Sequence, residues 1–307
     1  MIVQLAMLGT MFLWGISFVA SKHVLTEISP LTYMGVRFLI ASLLLAVVMR
    51  LRGRPRFSRK THGMIALTAL AEPVAYFLFE SYGLRLTTAT TASLVIATTP
   101  MAVMIIAALF LKEKISPRGV AAVFMSLGGI VLLVLGGGAD SGTASSLIPS
   151  AETAQRFLGV FLVFGAVLSA AFYITLARNL TQKHDPINLT VIQTWWGAGV
   201  FVILWQAQTP THRAVTLSTT GWIALLFLAA GATVAAFLMY NWALRYETAG
   251  RASLYINAIP VITAITARIL LDERFTAMQI AGAVFVLAAV RLASHRKEAI
   301  IMPPPES

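Results

Sequence analysis

The stretch ASLVIATTPMAVMIIAALFLKE occupies residues 92–113, and ASLYINAIPVITAITARILLDE occupies residues 252–273. Both begin with Ala-Ser-Leu, carry a proline at the same later position (Pro100 and Pro260) and end in Leu-x-Glu. Apolar composition alone produces many chance matches, whereas shared proline and glutamate positions at one spacing indicate an internal repeat. The chain is therefore predicted to consist of two related halves.

The spacing of 160 residues holds without a gap over most of each half. It also aligns Val74-Ala75 with Val234-Ala235, Phe77-Leu78 with Phe237-Leu238, Leu84-Arg85 with Leu244-Arg245, Thr88-Ala89 with Thr248-Ala249 and Ile96 with Ile256. Near the start of each half, a spacing of 150 aligns Leu8-Gly9 with Leu158-Gly159 and Gly15 with Gly165. We expect a first repeat over 1–136, a periplasmic linker over 137–156, a second repeat over 157–297 and a disordered tail over 298–307.

The composition excludes a water-soluble protein. The 307-residue chain is 58% hydrophobic and 11% charged, whereas soluble domains average about 45–50% apolar and about 25% charged residues. The absence of cysteine excludes disulfides, thiol catalysis and cysteine-ligated metals. There is no metal-ligand spacing and no phosphate-binding glycine loop, so we expect no cofactor and no metal.

Ten apolar runs are long enough to span a bilayer, which requires about 20 residues each. They lie at 3–24, 30–50, 62–83, 88–110, 117–136, 157–178, 187–207, 221–243, 252–270 and 277–294. The predicted fold is an all-α membrane protein with ten transmembrane helices. Because each half has an odd number of helices, the second half enters the membrane from the opposite side. Such inverted repeats are the architecture of many secondary transporters.

The loop charges predict the orientation. If the N-terminus lies inside, 16 of the 23 Lys and Arg residues fall in inner loops and 5 in outer loops. Positive residues favour the cytoplasmic side, so both termini are expected in the cytoplasm. Since the basic residues lie in short loops between helices, nucleic acid is not an expected partner.

Three further features accompany the repeat: Trp14-Gly15-x-x-Phe18, Pro30, and Arg37-Phe38. With them, the chain resembles the drug/metabolite transporter superfamily, in its ten-helix EamA-type branch, and looks most like YddG-like amino acid exporters. The resemblance implies alternating-access export of aromatic and other apolar amino acids across the bacterial inner membrane. It implies a small-molecule substrate and the lipid bilayer as partners, with protons as a further candidate, in a monomer or homodimer.

Ionisable residues at membrane depth indicate function, and Arg37, Glu72 and Glu80 lie there. Glu72, Tyr76 and Glu80 share one face of helix 3, since they are four residues apart. The repeat places Ala232, Ala236 and Tyr240 at the equivalent positions, so the polar stripe belongs to one half. The alternative is a static pair between Arg37 and either glutamate. Pro73, Pro100 and Pro260 are expected either to interrupt their helices, as at many transporter binding sites, or only to kink them for packing.

A zwitterionic amino acid needs partners for its carboxylate, its ammonium and its side chain. The predicted substrate-binding residues are Trp14, Arg37, Glu72, Tyr76, Glu80, Trp195, Tyr240, Asn241, Tyr255 and Asn257. Most Trp and Tyr residues could instead form the interfacial belt. Gln193 stands where the second half would repeat Arg37. Glu113 and Glu273 are expected to bond backbone amides or loop cations at the membrane edge.

Other functions remain open. The superfamily resemblance also allows a nucleoside, a sugar or a cationic compound as substrate. A membrane-embedded enzyme would need clustered Asp, Glu or His near one interface, and the five histidines are scattered. A passive channel is a further alternative.

Overall fold

The computed structural model describes residues 1–52, 57–111, 117–136 and 151–294, and this part contains helices and no strand. We number the ten long helices α1 to α10. They are α1 Ile2–Glu27, α2 Pro30–Arg52, α3 Arg59–Leu86, α4 in two segments (Ala89–Ile96 and Thr99–Leu111), α5 Pro117–Gly136, α6 Ala151–Lys183, α7 Pro186–Gln206, α8 Thr219–Leu244, α9 in two segments (Ala249–Tyr255 and Ile259–Leu270) and α10 Ala277–Ser294. A single helical turn, Pro210–Arg213, precedes α8.

Length and hydropathy confirm the predicted membrane fold. Eight helices in the described part are long and apolar enough to cross a bilayer, and α5 and α10 contribute shorter apolar helices. Proline begins α2, α5 and α7, where its missing N–H is not needed. The hydroxyl groups of Thr88 and Thr248 accept backbone N–H groups at the starts of α4 and α9, so the repeat preserves helix caps as well as helices.

The two halves are distorted at matching places. Helix α3 contains π-helical turns over Leu70–Ala75, and α8 contains them over Leu228–Ala235. Helices α4 and α9 are each interrupted after a short first segment. The packing matches too, because α1 lies against α8 and α9 while α6 lies against α3 and α4. The helices α2 and α7 pack together, as do α5 and α10. Each half is thus interlocked with the other around a pseudo-twofold axis.

Equivalent hydrogen bonds from two cationic side chains show which residues of α1 and α6 correspond in the repeat. Lys22 in α1 donates to the carbonyl of Thr87 at 2.6 Å, and Arg178 in α6 donates to the carbonyl of Glu247 at 3.0 Å. Thr87 and Glu247 are 160 residues apart, but Lys22 and Arg178 are 156 apart. The spacing of 150 expected from the glycine matches is therefore wrong for these helices.

Close helix crossings occur where glycine removes the side chain. A Cβ on Gly129 of α5 would lie 2.7 Å from the carbonyl oxygen of Gly282 in α10, whereas Gly128 has open space. Of the adjacent pair, only Gly129 is needed for the crossing. Helix α6 begins at Ala151, ahead of the expected start at 157. Residues 137–150, the tail 298–307 and Glu113 lie outside the described residues.

Candidate functional site

The break in α3 positions one acidic side chain. Glu72 has an extended backbone (φ −147°, ψ 116°) inside the helix, directly before Pro73. Proline lacks the N–H that would continue the helical ladder. Gly197 of α7 faces this break, and a Cβ there would lie 2.5 Å from Cγ of Pro73. The missing side chain at Gly197 therefore lets the proline ring pack against α7.

A cavity lies between the two halves beside this break. Its volume is about 40 Å³, room for about three water molecules. The lining residues are Trp14, Ser17, Phe18, Arg37, Glu72, Tyr76, Phe77, Glu80, Ile96, Thr99, Ala170, Ile174, Phe237, Tyr240, Ile256 and Ile259. Six of the ten predicted site residues are among them, including all three charged ones.

Arg37 is 1% exposed and is held by neutral groups. Its Nε donates to the hydroxyl of Thr233 at 2.8 Å, and Nη1 donates to the hydroxyl of Tyr33. The guanidinium carbon lies 4.5 Å from the ring centroid of Phe77, a cation–π geometry. Among the ion pairs of the described residues, none joins Arg37 to Glu72 or Glu80. The alternative of a static Arg–Glu pair is therefore wrong for this conformation.

The two carboxylates have few donors of their own. Glu80 is 3% exposed and accepts one long hydrogen bond, at 3.4 Å from the hydroxyl of Ser81. Glu72 is 6% exposed, and no described residue donates a hydrogen bond to it. A buried ionised carboxylate without donors costs several kcal/mol or more. The cavity thus presents acidic groups whose partners must come from a ligand, a proton or water.

Aromatic side chains form the opposite wall. Trp14 donates from Nε1 to the carbonyl of Ala232 at 3.1 Å, which fixes its ring 5.1 Å from Tyr240 and 5.3 Å from Phe237. The hydroxyl of Tyr240 is buried and has no hydrogen-bond partner in the described part. It is therefore a polar group available to a bound molecule inside an otherwise apolar wall.

The lining residues that were not predicted follow the repeat. They include the equivalent pairs Phe77 and Phe237, Ile96 and Ile256, Thr99 and Ile259, and Phe18 and Ile174, together with Ala170, the equivalent of the predicted residue Trp14. The rings of Phe77 and Phe237 lie 6.5 Å apart. The cavity is therefore lined by equivalent positions of both halves. For Phe77, Phe237, Ile96 and Ile256, the matched spacing of 160 residues was the signal in the sequence that could have identified them.

Four predicted residues lie away from this cavity. Trp195 is 40% exposed, and its indole donates to the carbonyl of Ser42 at the bundle surface. Tyr255 and Asn257 lie at the interruption of α9, outside the lining, and Oδ1 of Asn257 is buried with no hydrogen-bond partner among the described residues. Asn241 is fully buried but belongs to a separate polar network.

That network joins α3, α6, α7 and α8. Asn241 donates to the hydroxyl of Thr190 at 2.9 Å and accepts from the hydroxyl of Tyr173 at 2.7 Å. Gln193 donates to the hydroxyl of Thr68 at 2.9 Å. Gln193 and its repeat equivalent Arg37 thus each bond a threonine in the third helix of the other half.

A larger cavity of about 530 Å³ lies where α4 begins and α9 ends. Its walls include Val261, Ile265, Ile280 and Val284, each more than half exposed. In a membrane protein such residues face lipid. The carboxylate at its rim, Glu273, is already engaged by the N–H of Ala89 at 3.0 Å and the hydroxyl of Thr90 at 2.8 Å. Despite its size, this cavity is a less suitable substrate site than the central one.

Comparisons with known proteins agree with this architecture. A model of the EamA-like transporter family matches residues 1–135 and 157–294. An uncharacterized transporter of Archaeoglobus fulgidus is 28% identical over 290 residues, covering 94% of this chain and 97% of the relative. The uncharacterized transporter YetK of Bacillus subtilis is 23% identical over 295 residues, covering 94% and 86%.

Two more distant similarities extend the comparison. A chloroplastic WAT1-related protein of Arabidopsis thaliana is 25% identical over 294 residues, covering 93% of this chain and 68% of the relative. A crystal structure at 17% identity superposes with a TM-score of 0.65 over 95% of this chain and 96% of that one, which shows a shared fold. Since the family model covers most of the chain in two matching halves, the protein belongs to the EamA-like transporters of the drug/metabolite transporter superfamily.

Proposed function

We propose that this transporter exports amino acids, preferentially aromatic and other apolar ones, from the cytoplasm across a bacterial inner membrane by alternating access. The observation that carries the proposal is the central cavity, which combines Arg37, Glu72 and Glu80 with aromatic walls. A zwitterion with an apolar side chain requires those three kinds of partner in one place.

The charged residues suggest how the substrate is held. The guanidinium of Arg37 uses two of its five N–H donors on Thr233 and Tyr33, so others remain for a substrate carboxylate. Glu80, with its single long hydrogen bond, is suited to the ammonium group. Trp14, Phe237 and Tyr240 supply an apolar wall with one free hydroxyl.

The small volume favours alternating access. Pockets for drug-sized ligands measure about 300–1,000 Å³, whereas this cavity measures about 40 Å³. Its lining side chains must therefore separate before an amino acid enters. The two halves have similar folds in opposite orientations, so each half can adopt the conformation of the other. This exchange closes the cavity on one side of the membrane and opens it on the other.

Reconstitution tests this proposal. Purified protein in liposomes preloaded with unlabelled amino acids should accumulate radiolabelled L-phenylalanine transiently by counterflow, which a passive channel does not do. Labelled nucleosides, sugars and a cationic amine test the other substrate classes. Glu80→Gln should abolish counterflow, while Glu152→Gln, the same change at a residue with a 64% exposed side chain, should leave it intact. Absence of amino acid counterflow in the wild type, or equal loss in both variants, would contradict the proposal.

A further inference from the structure

Glu72 borders a second cavity in addition to the central one. The second cavity measures about 10 Å³, which is room for one water molecule. Its lining residues are Phe38, Glu72, Pro73, Thr190, Gln193, Thr194, Thr233 and Phe237. Among the described residues, only Glu72 and Phe237 line both cavities. One carboxylate therefore separates the central cavity from a small polar compartment beside α7.

The surroundings of Glu72 leave its charge uncompensated. It is 6% exposed, and no described residue donates a hydrogen bond to it. Arg37, the cation in the central cavity, is bonded to Thr233 and Tyr33. The described lining of the central cavity thus includes two carboxylates and one guanidinium. When the cavity closes without substrate, one buried negative charge lacks a partner unless a proton binds.

We infer that Glu72 is the binding site of a coupling proton, which is exchanged through the small polar compartment while the substrate occupies the central cavity. The inference rests on the proposed transport function and adds its energy source. Proton binding forms an O–H bond on the Glu72 carboxylate, and its release returns the proton to water. A substrate moving outward is then exchanged for a proton moving inward.

The walls of the small compartment favour a proton over a metal cation. The hydroxyl oxygen of Thr233 already accepts from Arg37, so a fixed positive charge lies one hydrogen bond from the compartment. That charge repels a second cation, whereas a proton binds to the carboxylate itself and removes its charge. The hydroxyl groups of Thr190 and Thr194 line a space large enough for one water molecule, which suits proton movement.

Thr190 extends the polar lining of this compartment toward the start of α7. Thr190 lies in the first turns of α7, and its hydroxyl donates to the carbonyl of Pro186, the first residue of that helix. The predicted topology places this end on the cytoplasmic side. The titratable groups around Glu72 are Arg37 from α2, Tyr76 and Glu80 from α3, Tyr173 from α6 and Tyr240 from α8. The compartment lining from α7 consists of the neutral residues Thr190, Gln193 and Thr194.

Two transport assays on the same proteoliposomes test the inference. Counterflow of radiolabelled L-phenylalanine at equal pH measures substrate exchange, and uptake into an acidic lumen measures coupling to protons. Wild type and Glu152→Gln should show both activities. Glu72→Gln should lose the acid-driven accumulation, and any counterflow that it keeps should not respond to pH, whereas Glu80→Gln should lose both activities. Thr194→Val, which removes only a hydroxyl of the compartment, should slow acid-driven uptake without slowing counterflow.

The outcomes separate the two proposals. Wild-type counterflow without acid-driven accumulation, or accumulation that persists in Glu72→Gln, overturns the coupling proton and leaves the transport function standing. If the wild type shows no amino acid counterflow, the proposed substrate is wrong. Infrared spectroscopy of the reconstituted protein then tests the role of Glu72. Glu80→Gln, which removes the other buried carboxyl of the cavity, should show a carbonyl band of a protonated carboxylic acid that disappears on alkaline titration. Glu72→Gln made in the same Glu80→Gln background should lack that band. A band unchanged by Glu72→Gln overturns the inference.

Discussion

Gly197→Ala should destabilise the fold and disturb the site, whereas the same substitution at the nearby Gly199 should not. A Cβ at position 197 would lie 2.5 Å from Cγ of Pro73, whereas ordinary contacts begin at 3.4 Å. The α3 break and α7 would have to separate by about 0.9 Å. A Cβ at position 199 meets nothing within 4 Å.

Both substitutions favour the helical conformation, but only Gly197→Ala introduces a steric overlap. Alanine in a helix interior is favoured over glycine by about 0.5–1 kcal/mol, and this applies equally to both positions of α7. Overpacking a well-packed interior costs about 1–3 kcal/mol, and only Gly197→Ala incurs it. Gly197→Ala should therefore unfold more easily than Gly199→Ala by about 1–3 kcal/mol. Because Pro73 follows Glu72, Gly197→Ala should also reduce acid-driven transport.

Unfolding in mixed micelles with increasing sodium dodecyl sulfate, followed by tryptophan fluorescence, measures the difference in stability. The transport assays on the same two variants measure the effect on the site. Equal stability of the two variants would refute the reasoning, since the break in α3 would then not depend on close contact with α7. Equal transport despite unequal stability would show that Glu72 keeps its position when Pro73 moves.

Two further predictions follow from the packing and the site. Gly129→Ala should be less stable than Gly128→Ala by about 1–3 kcal/mol, because a Cβ at 129 would lie 2.7 Å from the carbonyl oxygen of Gly282, whereas a Cβ at 128 meets open space. The same unfolding assay distinguishes them, and equal effects would contradict the close α5–α10 crossing. Tyr240→Phe removes a buried hydroxyl that has no partner in the described part, so stability should not fall. The same change should raise the KM for an amino acid if that hydroxyl contacts substrate, and an unchanged KM for every transported compound would exclude the contact.

Hydropathy and the repeat predicted most of the fold, because both can be read from the type and position of individual residues. A bilayer demands long apolar helices, and Pro100 with Pro260 fixed the alignment of the halves. The alignment of α1 with α6 was wrong because glycine is common in membrane helices, so Gly15 and Gly165 matched by composition. Lys22 and Arg178, whose contacts are equivalent, sit in dissimilar sequence.

The site was partly predictable for a related physical reason. Charged residues are costly in lipid, so Arg37, Glu72 and Glu80 could be assigned to the interior from their type alone. Aromatic and amide residues carry no such constraint. Since lipid is as apolar as the protein interior, periodicity does not reveal which face of a helix is buried. Trp195 was accordingly predicted at the cavity and lies at the surface.

The contrast between a symmetric framework and asymmetric charge bears on mechanism. The cavity is lined by repeat-equivalent positions such as Phe77 and Phe237, so the helices that surround it can exchange roles between the two halves. The three charged side chains in its described lining, Arg37, Glu72 and Glu80, all come from the first half. A fully symmetric site would bind a zwitterion equally well in two opposite orientations. Under the proposed alternating access, guanidinium and carboxylates confined to one half would keep the charged end of a substrate with that half in both access states. Only the apolar wall around the substrate would then change as the cavity opens to either side.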